Sequence, residues 1–173
     1  MQASKPTIRR RKTSAAGSEN RAAITIDDYN EILSGIELQD IYLNDTSCEA
    51  FDRAAFIESF DHLEANLTTA CRYEHLSGPK EIVRVSQVVG LFYGSQEAPL
   101  LIMYAEFKLD YKSEHKWNDS FFDRFKVGPL FLQVVPYLRE FIHQMSVRMK
   151  LPPIILPLAK LTFGSDDDQI SRI

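Results

Sequence analysis

From Val83 the chain alternates: Val83, Val85, Val89, Leu91 and Tyr93 hold odd positions, with Arg84 and Ser86 among the even ones. A period of two predicts a strand over residues 81–93 with one apolar face. Residues 100–111 repeat the pattern, setting Leu101, Met103, Ala105, Phe107, Leu109 and Tyr111 against Glu106, Lys108 and Asp110. The break from Gly94 to Pro99 turns the two segments into an antiparallel hairpin with one wet face. Residues 36–50 have the β-branched and aromatic content of another strand, but its alternation slips between Leu38 and Ile41, which predicts a bulge near Gln39 or Asp40. Residues 64–73 alternate again, with Leu67, Thr69, Cys71 and Tyr73 on one side, before a Ser77-Gly78-Pro79 turn. Residues 51–63 interrupt the strands with Phe51, Phe56, Ile57 and Phe60 and no Pro or Gly, as in a loop carrying a helical turn. Four consecutive strands with short turns predict an antiparallel meander. A βαβ nucleotide fold is excluded, because no strand alternates with a helix.

Helical spacing appears at both ends of this strand block. Thr25 is placed to cap a short helix whose first turn holds Asp27 and Asp28, whose one side holds Ile26, Tyr29, Ile32 and Leu33, and which stops at Gly35. A second short helix is expected over residues 120–127, ending at Gly128-Pro129. A longer one then runs to about Lys150, with Pro136 early in it or at a kink. Its stripe of Val134, Val135, Leu138, Phe141, Ile142, Met145 and Met149 is wide enough to cover the sheet and to meet a second subunit. Leu151-Pro152-Pro153-Ile154-Ile155-Leu156-Pro157 cannot continue the helix and predicts an extended apolar loop. The fold class is α+β: a four-stranded antiparallel sheet with a long helix on one face and an additional N-terminal helix. Residues 1–22 are expected to be a flexible basic tail, 23–163 the domain and 164–173 a polar tail.

With 173 residues, 45% hydrophobic, the chain suits one domain with a sizeable core. Its formal charge of −4 argues against nucleic acid as a main partner, since the basic residues Arg9, Arg10, Arg11 and Lys12 sit in one short tail. Neither a spanning run of apolar residues nor a secretory signal is visible, so a cytoplasmic protein without membrane insertion is expected. Cys48 and Cys71 lack metal or CxxC spacing and read as buried free thiols, a disulfide between neighbouring strands being the alternative. His62, His75, His115 and His143 are scattered, and no nucleophile–base pair or phosphate loop stands out. Asp45, Glu49, Glu106 and Asp110 are accounted for by a solvated sheet face. A non-enzyme without cofactor or metal is expected.

Val135-Pro136-Tyr137-Leu138-Arg139-Glu140, followed about eleven residues later by the Pro-containing loop at 151–157, resembles the SecB family of export chaperones. Leu38-Gln39-Asp40-Ile41-Tyr42-Leu43-Asn44-Asp45-Thr46-Ser47-Cys48-Glu49 is similar to that family's first strand. The resemblance implies protomers that pair through first strands and helices into a homotetramer, a dimer of dimers, in which Leu138, Phe141, Ile142, Met145 and Met149 would form the interface. It also implies an apolar groove for unfolded polypeptides or preproteins, bounded by residues 51–63 and 151–157, with Phe51, Phe56, Phe60, Leu151, Ile154, Ile155 and Leu156 as lining. An exposed strand edge there could add backbone hydrogen bonds. Asp45, Glu49 and Glu106 would match an acidic surface that docks the motor SecA. The expected function is an ATP-independent chaperone serving export through SecA. The extra N-terminal helix is more similar to SecB-like chaperones dedicated to an antitoxin of a toxin–antitoxin module, and an adaptor for one folded partner is the reading from another class.

Overall fold

A computed structural model describes residues 24–77, 81–95 and 97–156; both expected tails, and most of the turn after Ser77, lie outside them. Four strands, β1 (Ile36–Ala50), β2 (Ala65–Leu76), β3 (Ile82–Gly94) and β4 (Pro99–Ser113), form one antiparallel sheet. Helices α1 (Ile26–Ser34), α2 (Arg53–Ser59), α3 (Asp119–Val127) and α4 (Pro129–Arg148) accompany it, with a 3-10 turn at Phe60–His62. The α+β class and the expected elements are present.

The strand order is β1-β4-β3-β2, which corrects the expected meander. Only β2, β3 and β4 are joined in hairpin fashion. The segment after β1 is too long and apolar for a hairpin turn: it folds into α2 and the 3-10 turn, buries Phe56, and carries the chain to the opposite edge of the sheet. Register in β1 slips between Leu38 and Asp40, at the expected bulge, and again between Leu43 and Asp45. Cys48 on β1 and Cys71 on β2 therefore sit on opposite edges, three strand spacings or about 14 Å apart, beyond disulfide reach. Both are free, half-buried thiols.

The odd positions of β3 and β4 are buried as the alternation predicts, from Val83 to Tyr93 and from Leu101 to Tyr111. One end of this inner face is closed by aromatic rings. Trp117 lies 4.9 Å from Phe125 and 5.1 Å from Phe121, and Tyr111 lies 5.4 Å from Trp117. Tyr29 joins α1 to this cluster, 5.2 Å from Phe121 and beneath the Arg124 guanidinium. Thr25 caps α1 by accepting from the Asp28 N–H, and the Gly35 N–H closes it on Ile32.

α4 runs through Pro136 and buries Leu130, Val134, Leu138, Phe141 and Ile142. It ends in a Schellman pattern, with the Leu151 N–H on the Ser146 carbonyl and the Lys150 N–H on Val147. Lys150 holds the left-handed position, φ 55°, that usually favours glycine. Pro152 and Pro153 then prevent the helix from resuming.

Candidate functional site

The two segments expected to bound a groove are held together. Arg53, the first residue of α2, donates to the Lys150 carbonyl at 2.8 Å, tying the crossover to the loop after α4. Phe56 packs edge-on against Tyr93 at 5.3 Å and lies 5.5 Å from Phe60, which is itself 6.3 Å from Tyr93. Burial then separates the candidates. Phe56, Leu151 and Ile154 lie inside the protomer core, whereas Phe60 and Leu156 are partly buried against it. Phe51 and Ile155, at 52% and 72% exposure, present apolar surface to solvent. One turn of α2 decides this locally, since Phe56 faces the sheet and its neighbour Ile57 faces out.

Sequence patterning missed a further exposed surface at the end of the crossover. Ala65 on β2 pairs with Tyr93, so β2 begins beside the crossover, and its residues from Ala65 to Ala70 are all exposed. Leu67, Thr69 and Cys71 share the sheet's inner face, and among the described residues no helix covers Leu67 and Thr69, which are exposed. The strip closes at Tyr73, where Phe122 of α3 packs at 4.7 Å. An apolar strip about 20 Å long thus runs from the crossover to α3. The alternation of Leu67, Thr69 and Cys71 was visible; that β2 is an edge strand reaching past the helices was a non-local fact. Burial raises the pKa of the Cys71 thiol, with Lys126 opposing, and burial likewise raises that of Cys48, so neither is activated as a thiolate.

On the outer face, Asp45 stands opposite Glu106 across β1 and β4, and Glu49 stands apart opposite Ile102. Glu106 accepts from the Asn44 side-chain amide at 2.7 Å and has the exposed Arg72 guanidinium at 4.0 Å. The Tyr104 hydroxyl between these groups is pushed up by burial and then by the Glu106 and Asp45 charges. Further along, Arg84 grips Asp110 through two 2.7 Å hydrogen bonds, which raise the pKa of the guanidinium.

The helix stripe assigned to an interface faces inward. Leu138, Phe141 and Ile142 are core residues of the protomer, with Met145 and Met149 packed against them. The apolar residues that α4 leaves exposed are Leu132, Tyr137 and Val147. Among the described residues no cluster of three His, Cys, Asp or Glu could hold a metal, and no helix is long and apolar enough to cross a membrane.

The four-stranded antiparallel sheet with a long helix on one face is a SecB-like fold. The Mycobacterium tuberculosis SecB-like chaperone Rv1957, solved in complex with a ChAD peptide from the HigA1 antitoxin, superposes with a TM-score of 0.63 at 16% identity, over 78% of this chain and 99% of that one. A Streptococcus agalactiae protein of unknown function matches with a TM-score of 0.45 at 9% identity, over 71% of this chain and 97% of the other. No family model and no curated protein sequence matches the chain. The likeness is one of fold.

Proposed function

We propose that this chain is a cytoplasmic, ATP-independent chaperone that holds an extended apolar segment of an unfolded polypeptide, and that its client is an aggregation-prone antitoxin. The observation that carries the proposal is the exposed start of β2, which follows directly on the crossover, together with the apolar surface that Phe51, Ile57 and Ile155 present to solvent and the bond from Arg53 to the Lys150 carbonyl that joins the crossover to the loop after α4. Apolar surface at those positions would take up side chains by burial alone, at about 25 cal/mol per Å², without reading their sequence. A dedicated client is favoured over general export because the SecB-like fold recurs in a chaperone bound to an antitoxin peptide, and because α1 is added before the first strand. No catalytic step or cofactor enters this function.

Association into dimers and a dimer of dimers is part of the proposal, with Leu132, Tyr137 and Val147 on the outer side of α4 as apolar surface available to a partner protomer. The test is suppression of antitoxin aggregation during refolding, measured by light scattering at equimolar chaperone. Suppression that needs no ATP, and that a reduced, permanently unfolded competitor abolishes, supports the function. Aggregation at the same rate with and without the protein would refute it. Export work through SecA would instead appear as SecA binding that is lost in Asp45→Lys with Glu49→Lys.

A further inference from the structure

α1 is attached to the body differently from the other helices. Among the described residues α2, α3 and α4 each bury at least one side chain completely, whereas α1 buries none. Its side-chain hydrogen bonds among those residues stay within it, Thr25 with Asp28 and Ser34 with the Glu31 carbonyl. What holds it down is ring and apolar contact. Tyr29 lies 5.2 Å from the Phe121 ring and 5.5 Å from the Arg124 guanidinium, and Ile32 and Leu33 are half-buried against the core. A cleft of about 460 Å³ opens beside the helix, lined by Asp28, Glu31 and Ile32 and by His115, Lys116 and Asn118 of the link from β4 to α3. The backbone is fixed only from Gly35 onwards, where the Glu114 N–H donates to the Gly35 carbonyl and Ile36 pairs with Ser113. A helix with so few buried contacts, joined to the sheet through one glycine, opens at a lower free energy than the core does.

The surface beneath α1 has its own chemistry. Phe121 is fully buried and packs in the cluster with Trp117 and Phe125, and the exposed Arg124 guanidinium stands where it meets an aromatic face. We infer that α1 is an autoinhibitory element seated on a helix-binding surface built from Phe121 and Arg124, and that an amphipathic helix of a partner protein replaces it there. The chemistry of that partner is read from the helix now in place. It carries an aromatic residue where α1 has Tyr29, aliphatic residues three and four positions on, where α1 has Ile32 and Leu33, and acidic residues in the turn before, where α1 has Asp27 and Asp28. This surface lies at the end of the sheet's inner face away from the crossover, so it goes beyond the polypeptide-holding function and does not depend on it.

The probe is a labelled peptide with the sequence of residues 24–35, Ile-Thr-Ile-Asp-Asp-Tyr-Asn-Glu-Ile-Leu-Ser-Gly, added to the full chain. A ligand that binds only the open form has its affinity reduced by the fraction that is open. Tyr29→Ala loosens the resident helix through its seat, since alanine is the better helix former. Fluorescence anisotropy should therefore show the peptide binding Tyr29→Ala at least tenfold more tightly than the parent. Adding Arg124→Glu, or replacing the tyrosine of the peptide with alanine, should abolish that gain. Amide exchange by NMR should be at least tenfold faster for Tyr29 to Leu33 in Tyr29→Ala, with the amides of Val85 to Leu91 in β3 unchanged as evidence of an intact fold. Equal peptide affinity for the parent and Tyr29→Ala would overturn the inference. So would amides of α1 in the parent that exchange no faster than those of β3, because α1 would then open only with the whole protein. A smaller oligomer for Tyr29→Ala in size-exclusion light scattering would overturn the assignment to a partner protein, by showing that the surface seats α1 of a second copy.

Discussion

At one end of the sheet's inner face, Trp117 and Phe125 come down on Tyr111, with Phe121 packed on both and Tyr29 of α1 against Phe121. At the other, α2 buries a single phenylalanine, and the chain leaves Phe51, Ile57, Leu67 and Ile155 in solvent. Both ends are rich in apolar residues, so hydrophobicity does not distinguish them. What distinguishes them is coverage: α3 carries three buried rings on one side, while α2 is seven residues long and the segment after α4 is held extended by prolines. The closed end supplies stability. The open end leaves apolar area available to another chain.

Substitution should separate the two ends. Phe121→Ala removes a fully buried ring at the closed end and should cost about 3–5 kcal/mol in urea denaturation, with client affinity unchanged under conditions where the variant is folded. An equal loss of affinity would show that the ends are one unit. Alkaline pH acts on the same end. Burial raises the Tyr111 hydroxyl above its ordinary value, so the folded state keeps a proton that the unfolded state gives up. Its contribution is complete below pH 10 and falls as pH rises towards the folded value, by up to about 1.4 kcal/mol per pH unit. Urea midpoints at pH 8 and pH 11 should therefore diverge more for the parent than for Tyr111→Phe, allowing for that variant's lost hydrogen bond to Gln133 at both pH values.

Phe51→Asp with Ile155→Asp tests the open end. Client affinity should fall at least tenfold, about 1.4 kcal/mol, while unfolding free energy shifts by no more than about 0.5 kcal/mol per site. Ile154→Asp would be a poor probe, because Ile154 is buried and an unpaired charge there would unfold the protein rather than report on the strip. The smallest effect belongs to the joint between the walls. Lys150→Gly relieves a left-handed backbone and should stabilise the fold by about 1 kcal/mol in thermal melts, with client affinity unaltered, since Arg53 bonds to the backbone carbonyl at that position.

The elements were legible in the sequence because each is written in local periodicity. The alternation of β3 and β4, the Thr25 cap and the slip at Gln39 all reappear in the structure. Strand order was not legible, because the destination of the crossover depends on which edge remains free once β2, β3 and β4 have paired. The candidate site was half legible for the same reason. Phe51 and Phe56 look alike in sequence, yet one caps the end of β1 in solvent and the other enters the core. Leu67 looks like any inward strand residue, and only the edge position of β2 exposes it.

The most direct test of the central claim is native mass spectrometry of the protein mixed with a reduced, carboxymethylated polypeptide that cannot refold and, separately, with the same polypeptide in its native state. A complex with the unfolded form alone, lost in Phe51→Asp with Ile155→Asp, is the predicted result. Uptake of the native form, or of neither, would contradict a polypeptide-holding strip on β2.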